Sequence, residues 1–357
     1  MVMVRDSINK ALKAAEVSGG PLLVAVSGGQ DSVLLLDTLR SLAPHLDLKL
    51  IIGHVNHGLR DEESEGDESF VQELARAGGW TFDQRRVDPM AARAGSANSR
   101  LRPTLEEAAR DQRREALEAM AEANGARWIA TAHHLGDQAE TVMLRILRGT
   151  GPDGLVGMSP VDREGRWIRP MLGIPPEAIA EESRRRGLTW REDSSNSDRR
   201  FTRNRLRHDW LPGLAADFNP KLLRNLANLA EAQSRDLEWI EGLVAVAVKE
   251  RIESGVQGVR LKIDGWEAVP EALARRLARE ALVRAGLGRD VTRAHIERVL
   301  EFLRRGRSAG RDLRIELPEG IHLRRVDDAF LLSRSEADDE IPRVWDATVL
   351  RREETDL

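Results

Sequence analysis

Short apolar runs alternate with amphipathic stretches through the first half of the chain. LLVAV (22–26) predicts a strand, followed by a helix from about Ser32 to Leu42. LKLIIGHV (48–55) predicts a second strand, with a helix from about Glu62 to Gly78 behind it. WTFDQRRV (80–87) leads through a loop over 88–103 into a helix over Thr104–Asn124. WIATAH (128–133) is followed by a helix from about Asp137 to Arg148, stopped by Gly149 and Gly151. Repeated strand–helix units predict an α/β fold, a Rossmann-like parallel sheet with helices on both faces. Such sheets bind ligands at the carboxyl ends of their strands, where the strand order reverses. Three polar stretches fall on those ends: SGGQDS (27–32), HVNHGLR (54–60) and AHHLGDQAE (132–140).

Past Pro152 the pattern changes. Pro152–Asp198 reads as loop-rich, and Pro220–Ser254 as largely helical. VRLKI (259–263), helices over about 270–285 and 292–305, and the strands LRIELP, IHLRRV and AFLLS follow. The expected organisation is a catalytic domain over 1–213, a second, mainly helical domain with a small sheet over 214–334, and a poorly ordered acidic tail over 335–357.

Composition narrows the function classes. The 357 residues suit two domains, and 41% apolar with 32% charged content suits a globular chain. No apolar run approaches a membrane span, and the N-terminus reads as an amphipathic helix, so the expected location is cytoplasmic, with no membrane partner. The absence of cysteine excludes disulfides, thiolate metal sites and cysteine nucleophiles. The net charge of −4 hides an asymmetry: residues 335–357 carry eight acids against three arginines, which leaves the remainder near neutral. Within that remainder, Arg184–Arg207 holds nine arginines against three acids, a local field suited to a polyanion.

The SGGQDS turn has the composition of a phosphate cradle. Gly28 and Gly29 allow backbone N–H groups to face an anion, Ser27 and Ser32 add hydroxyls, and the helix behind them offers its positive end. It lacks the lysine of a Walker-type loop, and beside Gln30 it carries Asp31, which either caps the helix or holds Mg²⁺ against the phosphates. In HVNHGLR, His54, Asn56 and His57 suit base and ribose, and Arg60 suits phosphate. In HHLGDQAET, Asp137 and Glu140 read either as a cap with its capping box or as carboxylates facing the glycine turn. In the helix LEEAARDQRREAL, Glu106, Arg110, Arg113 and Arg114 read as a solvated, salt-bridged face.

SGGxDS after a first strand resembles the PP-loop of the N-type ATP pyrophosphatases, the adenine-nucleotide α-hydrolase-like fold. HVNHGLR, HHLGDQAET, Arg169-Pro170-Met171-Leu172 and the pair WREDSSN (190–196) and RNRLR (203–207) resemble, in order, motifs of the tRNA(Ile)-lysidine synthetases. That resemblance implies an ATP-dependent ligase joining L-lysine to the wobble cytidine of an isoleucine tRNA with a CAU anticodon, through an adenylated cytidine, with release of pyrophosphate and AMP. It implies ATP contacts from Ser27–Ser32, His54, Asn56, His57 and Arg60, and Mg²⁺ on Asp31, Asp137 and Glu140. The catalytic set would be Asp31, Arg113, His133, Asp137 and Glu140, with Asp137 or His133 as base. tRNA would lie on Arg191, Arg203, Asn204, Arg205 and Arg207; a homodimer stays open. The competing readings are another PP-loop tRNA-modifying enzyme, disfavoured where cysteine chemistry is needed, and a non-catalytic nucleotide sensor.

Overall fold

The computed structural model describes residues 4–56, 61–94, 104–162, 164–192, 198–288, 291–309 and 314–334. It divides into two compact units, 1–236 and 237–357.

Unit 1 is built on a parallel sheet of β1 (Gly20–Ala25), β2 (Leu48–Asn56), β3 (Thr81–Arg86), β4 (Trp128–Ala130) and β5 (Trp167–Ile168), in the order β3-β2-β1-β4-β5. Period-two alternation splits each central strand between two cores. Leu22, Val24 and Val26 meet α1 (Val4–Ala14), α2 (Gln30–Leu46), α3 (Asp61–Gly78) and α7 (Pro176–Arg185) on one face. Leu23 and Ala25 meet Ala116, Leu117 and Met120 of α5 (Leu105–Ala123) on the other. The strand order reverses between β1 and β4, so the loops after these two strands diverge and leave a crevice between them.

Local chemistry sets most boundaries. Thr104 caps α5 through Glu107 N–H in a reciprocal capping box. The helix after β1 starts earlier and ends later than expected, running past Pro44 to Leu46, because a proline in a last turn deprives few carbonyls of a partner. The expected 88–103 loop contains a short helix, α4 (Pro89–Ala94): Asp88 accepts from the Met90 and Ala91 N–H groups, and Pro89 stands first in the helix. α6 (Leu135–Leu147) follows β4, and Ala139 and Val142 pack with Leu226 and Ala230 of α10 (Leu222–Arg251). The arginine-rich stretch forms α8 (Thr202–Arg205), a π-helical turn over Leu206–Trp210, and α9 (Leu211–Asp217).

In unit 2, an antiparallel sheet in the order β6-β7-β10-β9-β8 packs one face against α11 (Glu271–Arg284) and α12 (Arg293–Arg304). Its strands are β6 (Ile252–Gly255), β7 (Gly258–Lys262), β8 (Arg314–Glu316), β9 (His322–Val326) and β10 (Ala329–Ser333). The pattern missed β6, whose four residues, IESG, hold a single apolar side chain. Among the described residues no helix is long and apolar enough to cross a membrane.

Candidate active site

The turn after β1 is stitched by its own hydroxyls. Ser32 Oγ donates to Gly29 O at 2.9 Å, the Ser27 N–H donates to Ser32 Oγ at 3.3 Å, and the Gly29 N–H donates to Ser27 Oγ at 3.4 Å. Gly28 stands at φ +94°, a region that costs a side-chain-bearing residue, and Phe70 and Val71 lie 3.5 Å from where its Cβ would be. Gly29 occupies the N-cap of α2 with no side-chain cap, so Asp31 is not the cap of its helix. Its carboxylate lies in the first turn, 43% exposed. Burial raises its pKa, Asp137 adds to the rise, and His134 and Arg207 oppose it.

The turn after β4 supplies the opposite wall. His134 is the N-cap of α6: its Nδ1 accepts from the Gly136 N–H at 3.0 Å, and Asp137 Oδ2 accepts from the His134 N–H at 3.0 Å. The capping box is therefore His134–Asp137, three residues earlier than the expected Asp137–Glu140 pair. An accepting Nδ1 leaves the ring proton on Nε2. That atom stands 3.6 Å from Asp31 Oδ2 and 3.7 Å from Asp137 Oδ2, between the two carboxylates. Gly136 makes room for the ring, since a Cβ there would lie 2.8 Å from His134 Cε1. His133 Nδ1 is 2.9 Å from Thr131 Oγ1. Burial, with Arg113, Arg169 and Arg203 nearby, pushes His133 down to about 3 against the pull of Asp137. Burial works the other way on Asp137, but His134, Arg203, His133 and the His134 N–H outweigh it and hold the carboxyl at about 2.

The arginine helix closes the site. Arg203 Nε donates to Glu140 Oε2 at 2.7 Å and its Nη2 to Asp137 Oδ1 at 3.0 Å. Arg207 Nε donates to Glu140 Oε1 at 2.5 Å, and its Nη2 to Asp137 Oδ1 and Glu140 Oε2 at 2.9 Å each. Two guanidiniums one helical turn apart thus clamp two carboxylates of α6. Arg203 and Arg207, expected on tRNA, turn inward to α6, and Glu140, expected on a metal, has both oxygens engaged by them and is almost fully buried. Among the described residues no group of three or more acidic or histidine side chains is arranged to hold a metal ion. Asn204 Nδ2 donates to Asp198 O at 3.0 Å, and Arg205 is exposed. Arg191 is exposed at the edge of the glycine turn: its N–H donates to Gly28 O at 3.0 Å and its Nε to Asp67 Oδ1 at 2.5 Å.

Together these elements enclose a cavity of about 880 Å³. Ser27, Gly29, Gln30, Asp31 and Ser32 line it from one side and His133 and Asp137 from the other; Arg113, Arg191, Arg203, Asn204 and Arg207 complete it. His54 and Asn56 are not among the lining residues. His54 Nδ1 donates to Val26 O at 2.9 Å, and Asn56 Nδ2 donates to Glu68 Oε2 at 2.9 Å, so both tie the end of β2 to its neighbours. Burial lowers the pKa of His54. His57 and Arg60 lie outside the described residues, as do Ser194, Ser195 and Asn196. Arg114, next to Arg113, turns away to Glu118 at 2.9 Å and over the Trp167 ring at 5.2 Å. Sequence reasoning gave no role to Trp190, Asp67, His208 or His134. Trp190 and His208 carried a usable signal, an aromatic ring and an imidazole inside the arginine-rich stretch; Asp67 sits in an acidic helix and shows none.

Two family models match the chain: a PP-loop domain over residues 2–214 and the TilS substrate binding domain over 261–330. A tRNA(Ile)-lysidine synthase from Solibacter usitatus is 40% identical over 80% of this chain and 62% of its own length. Another, from Geobacter sulfurreducens, is 36% identical over 90% of this chain and 66% of its own length. A third, from Geobacillus kaustophilus, is 32% identical over 88% and 67%. The chain belongs to the tRNA(Ile)-lysidine synthase family. It spans about two thirds of the length of these lysidine synthase relatives. The fold also resembles a U34-tRNA thiolase, NcsA from Methanococcus maripaludis with its [4Fe-4S] cluster. The TM-score is 0.53 with 16% identity, over 66% of this chain and 78% of the other, which is a likeness of fold alone.

Proposed function

We propose that this chain is a tRNA(Ile)-lysidine synthetase, using ATP to join L-lysine to C2 of the wobble cytidine in a CAU anticodon. The observation that carries the reading is the crevice between β1 and β4, where a lysine-free glycine turn faces paired carboxylates and a set of arginines. The turn's N–H groups and the start of α2 suit the phosphates of ATP. In the first step, the cytosine O2 attacks the α-phosphorus, the bond to the bridging oxygen breaks, and pyrophosphate leaves with that electron pair. Arg113, Arg203 and Arg207 line the cavity in which negative charge builds on the leaving group.

In the second step, the lysine ε-amine forms a bond to C2, the C2–O bond breaks, AMP departs with that electron pair, and the proton lost by the amine passes to the departing phosphate or to solvent. The expected bases, His133 at about 3 and Asp137 at about 2, both lie far below neutrality and are poorly matched to hold that proton. The surrounding guanidiniums supply a different help, because a cationic, desolvated setting favours the neutral, nucleophilic amine. Asp137 then serves to orient Arg203 and Arg207, and neutral His133 to hydrogen-bond without adding charge.

Mg²⁺ binds through one or two carboxylates together with substrate phosphates. Asp31, half-exposed to the cavity, fits that requirement; Asp137 and Glu140 are both engaged by Arg203 and Arg207, and of the two Asp137 lines the cavity while Glu140 is almost fully buried. A cation held there would neutralise charge on the departing pyrophosphate. Residues 1–213 would carry this chemistry and 214–334 would grip the tRNA, helped by exposed Arg205. The reading places the enzyme in the cytoplasm and admits a homodimer. Product analysis tests the reaction class: the chain should convert ATP to AMP and pyrophosphate only when tRNA is present. ADP and phosphate as products would exclude it.

A further inference from the structure

The two carboxylates that face each other across the crevice are held very differently. Asp137 is fixed from three sides: its Oδ1 accepts from Arg203 Nη2 at 3.0 Å and Arg207 Nη2 at 2.9 Å, and its Oδ2 from the His134 N–H at 3.0 Å. Asp31 stands on the first turn of α2 and, among the described residues, its carboxylate accepts no hydrogen bond. It can therefore turn among its rotamers, where Asp137 cannot. The imidazole of His134 lies between the two, 7% exposed. Its Nδ1 is tied to the Gly136 N–H at 3.0 Å, and the backbone of the turn is tied to the next segment, the Leu135 N–H donating to Ile174 O at 3.1 Å. The ring proton left on Nε2 points at Asp31 Oδ2, 3.6 Å away, and at Asp137 Oδ2, 3.7 Å away.

We propose that His134 is a positioning residue: its Nε2–H turns the Asp31 carboxylate toward the cavity and the phosphate-bound cation, with Asp137 as the fixed reference. This rests on the assignment of Asp31 to that cation above. Both separations are too long for hydrogen bonds as they stand. The difference between the carboxylates decides which one closes, because Asp137 already has three donors and Asp31 has lone pairs to spare. A carboxylate that ligates a cation depends on the outer donor that orients it, and loss of such a donor costs about 10–100-fold in metal affinity or activity. Capping alone does not explain an imidazole at this place. Asn, Ser or Asp caps a helix with a shorter side chain, which ends short of Asp31. Gly136 fits the same account, since a Cβ there would lie 2.8 Å from His134 Cε1 and push the ring aside.

The test uses the full chain and reads two quantities. One is the gain in calorimetric ATP affinity when EDTA is replaced by excess Mg²⁺; the other is the urea midpoint. His134→Asn keeps an acceptor where Nδ1 stands but has no donor in place of Nε2. It should hold the midpoint and lose about tenfold of the Mg²⁺ gain. His134→Gln does the reverse, carrying an amide N–H to the place of Nε2 without the cap. Its midpoint should fall, while more of the Mg²⁺ gain survives than in His134→Asn. Gly136→Ala removes no polar group and favours the helix, so it should lose Mg²⁺ gain at an undiminished midpoint. A histidine that only caps gives the opposite order, with His134→Gln the poorer variant in both readouts. That order, equal losses of gain in the two His134 variants, or a wild-type gain in His134→Asn or Gly136→Ala overturns the positioning role alone. A wild-type chain whose ATP affinity ignores Mg²⁺ overturns the assignment of Asp31 to a cation and the positioning role with it.

Discussion

Arg203 Nε donates to Glu140 Oε2 at 2.7 Å across 63 residues of chain, joining the arginine helix to the helix that follows β4. Glu140 is 2% exposed, and Arg207 holds its other oxygen. Removing one partner of a buried ion pair strands the other charge, at about 3–5 kcal/mol. Arg203 and Arg207 keep Asp137 as a partner, so Glu140→Ala should lower the unfolding free energy read from a urea titration by less than that, and Glu140→Gln by less again. A midpoint equal to wild type for Glu140→Ala would show that the clamp adds nothing to stability.

Asp31 is half-exposed and caps nothing, so its loss should spare the fold. Asp31→Ala should leave stability within about 0.5 kcal/mol of wild type and abolish tRNA-dependent AMP release. ATP consumption at the wild-type rate would remove the role assigned to this carboxylate.

Acid should weaken the fold well above the carboxylate range. An unfolded His133 takes up a proton near its ordinary 6.5, whereas the folded side chain does so at about 3. Between those values the unfolded state binds more protons, so stability falls as pH falls. His54, lowered by burial, acts in the same direction. Asp137, depressed to about 2 from 3.8, adds stability that is lost only as pH drops below about 4. His133→Gln should flatten, though not abolish, the loss of stability between pH 6.5 and 4.5. A pH profile parallel to wild type would contradict the burial assigned to this ring.

Arg205 shares a helix with Arg203 but is exposed where Arg203 turns inward. Arg205→Ala should weaken tRNA binding and reduce the salt slope by about 0.7–0.9, while ATP affinity holds. An unchanged slope would make Arg205 a structural residue.

The parallel sheet was legible because the near-continuous apolar runs LLVAV and LKLIIGHV mark strands buried on both faces. So were the glycine turn and the HHLGDQAET turn, since each ends an apolar run. Residue type alone did not show that His54 hydrogen-bonds to Val26 O and Asn56 to Glu68, contacts that tie the end of β2 to its neighbours. The inward turn of Arg203 and Arg207 left no mark in the pattern, because pairing between distant helices has no period. His134 was hidden for a related reason: its place between Asp31 and Asp137 depends on a cap geometry in the turn between β4 and α6.

The central claim is that this cavity builds lysidine. The direct measurement is incubation of the chain with ATP, isotope-labelled L-lysine and an isoleucine tRNA transcript, followed by nucleoside mass spectrometry of the anticodon. The account predicts label at the wobble cytidine, dependent on ATP and absent when that cytidine is replaced by uridine. Cleavage of ATP to AMP and pyrophosphate with no lysine in the RNA would contradict it.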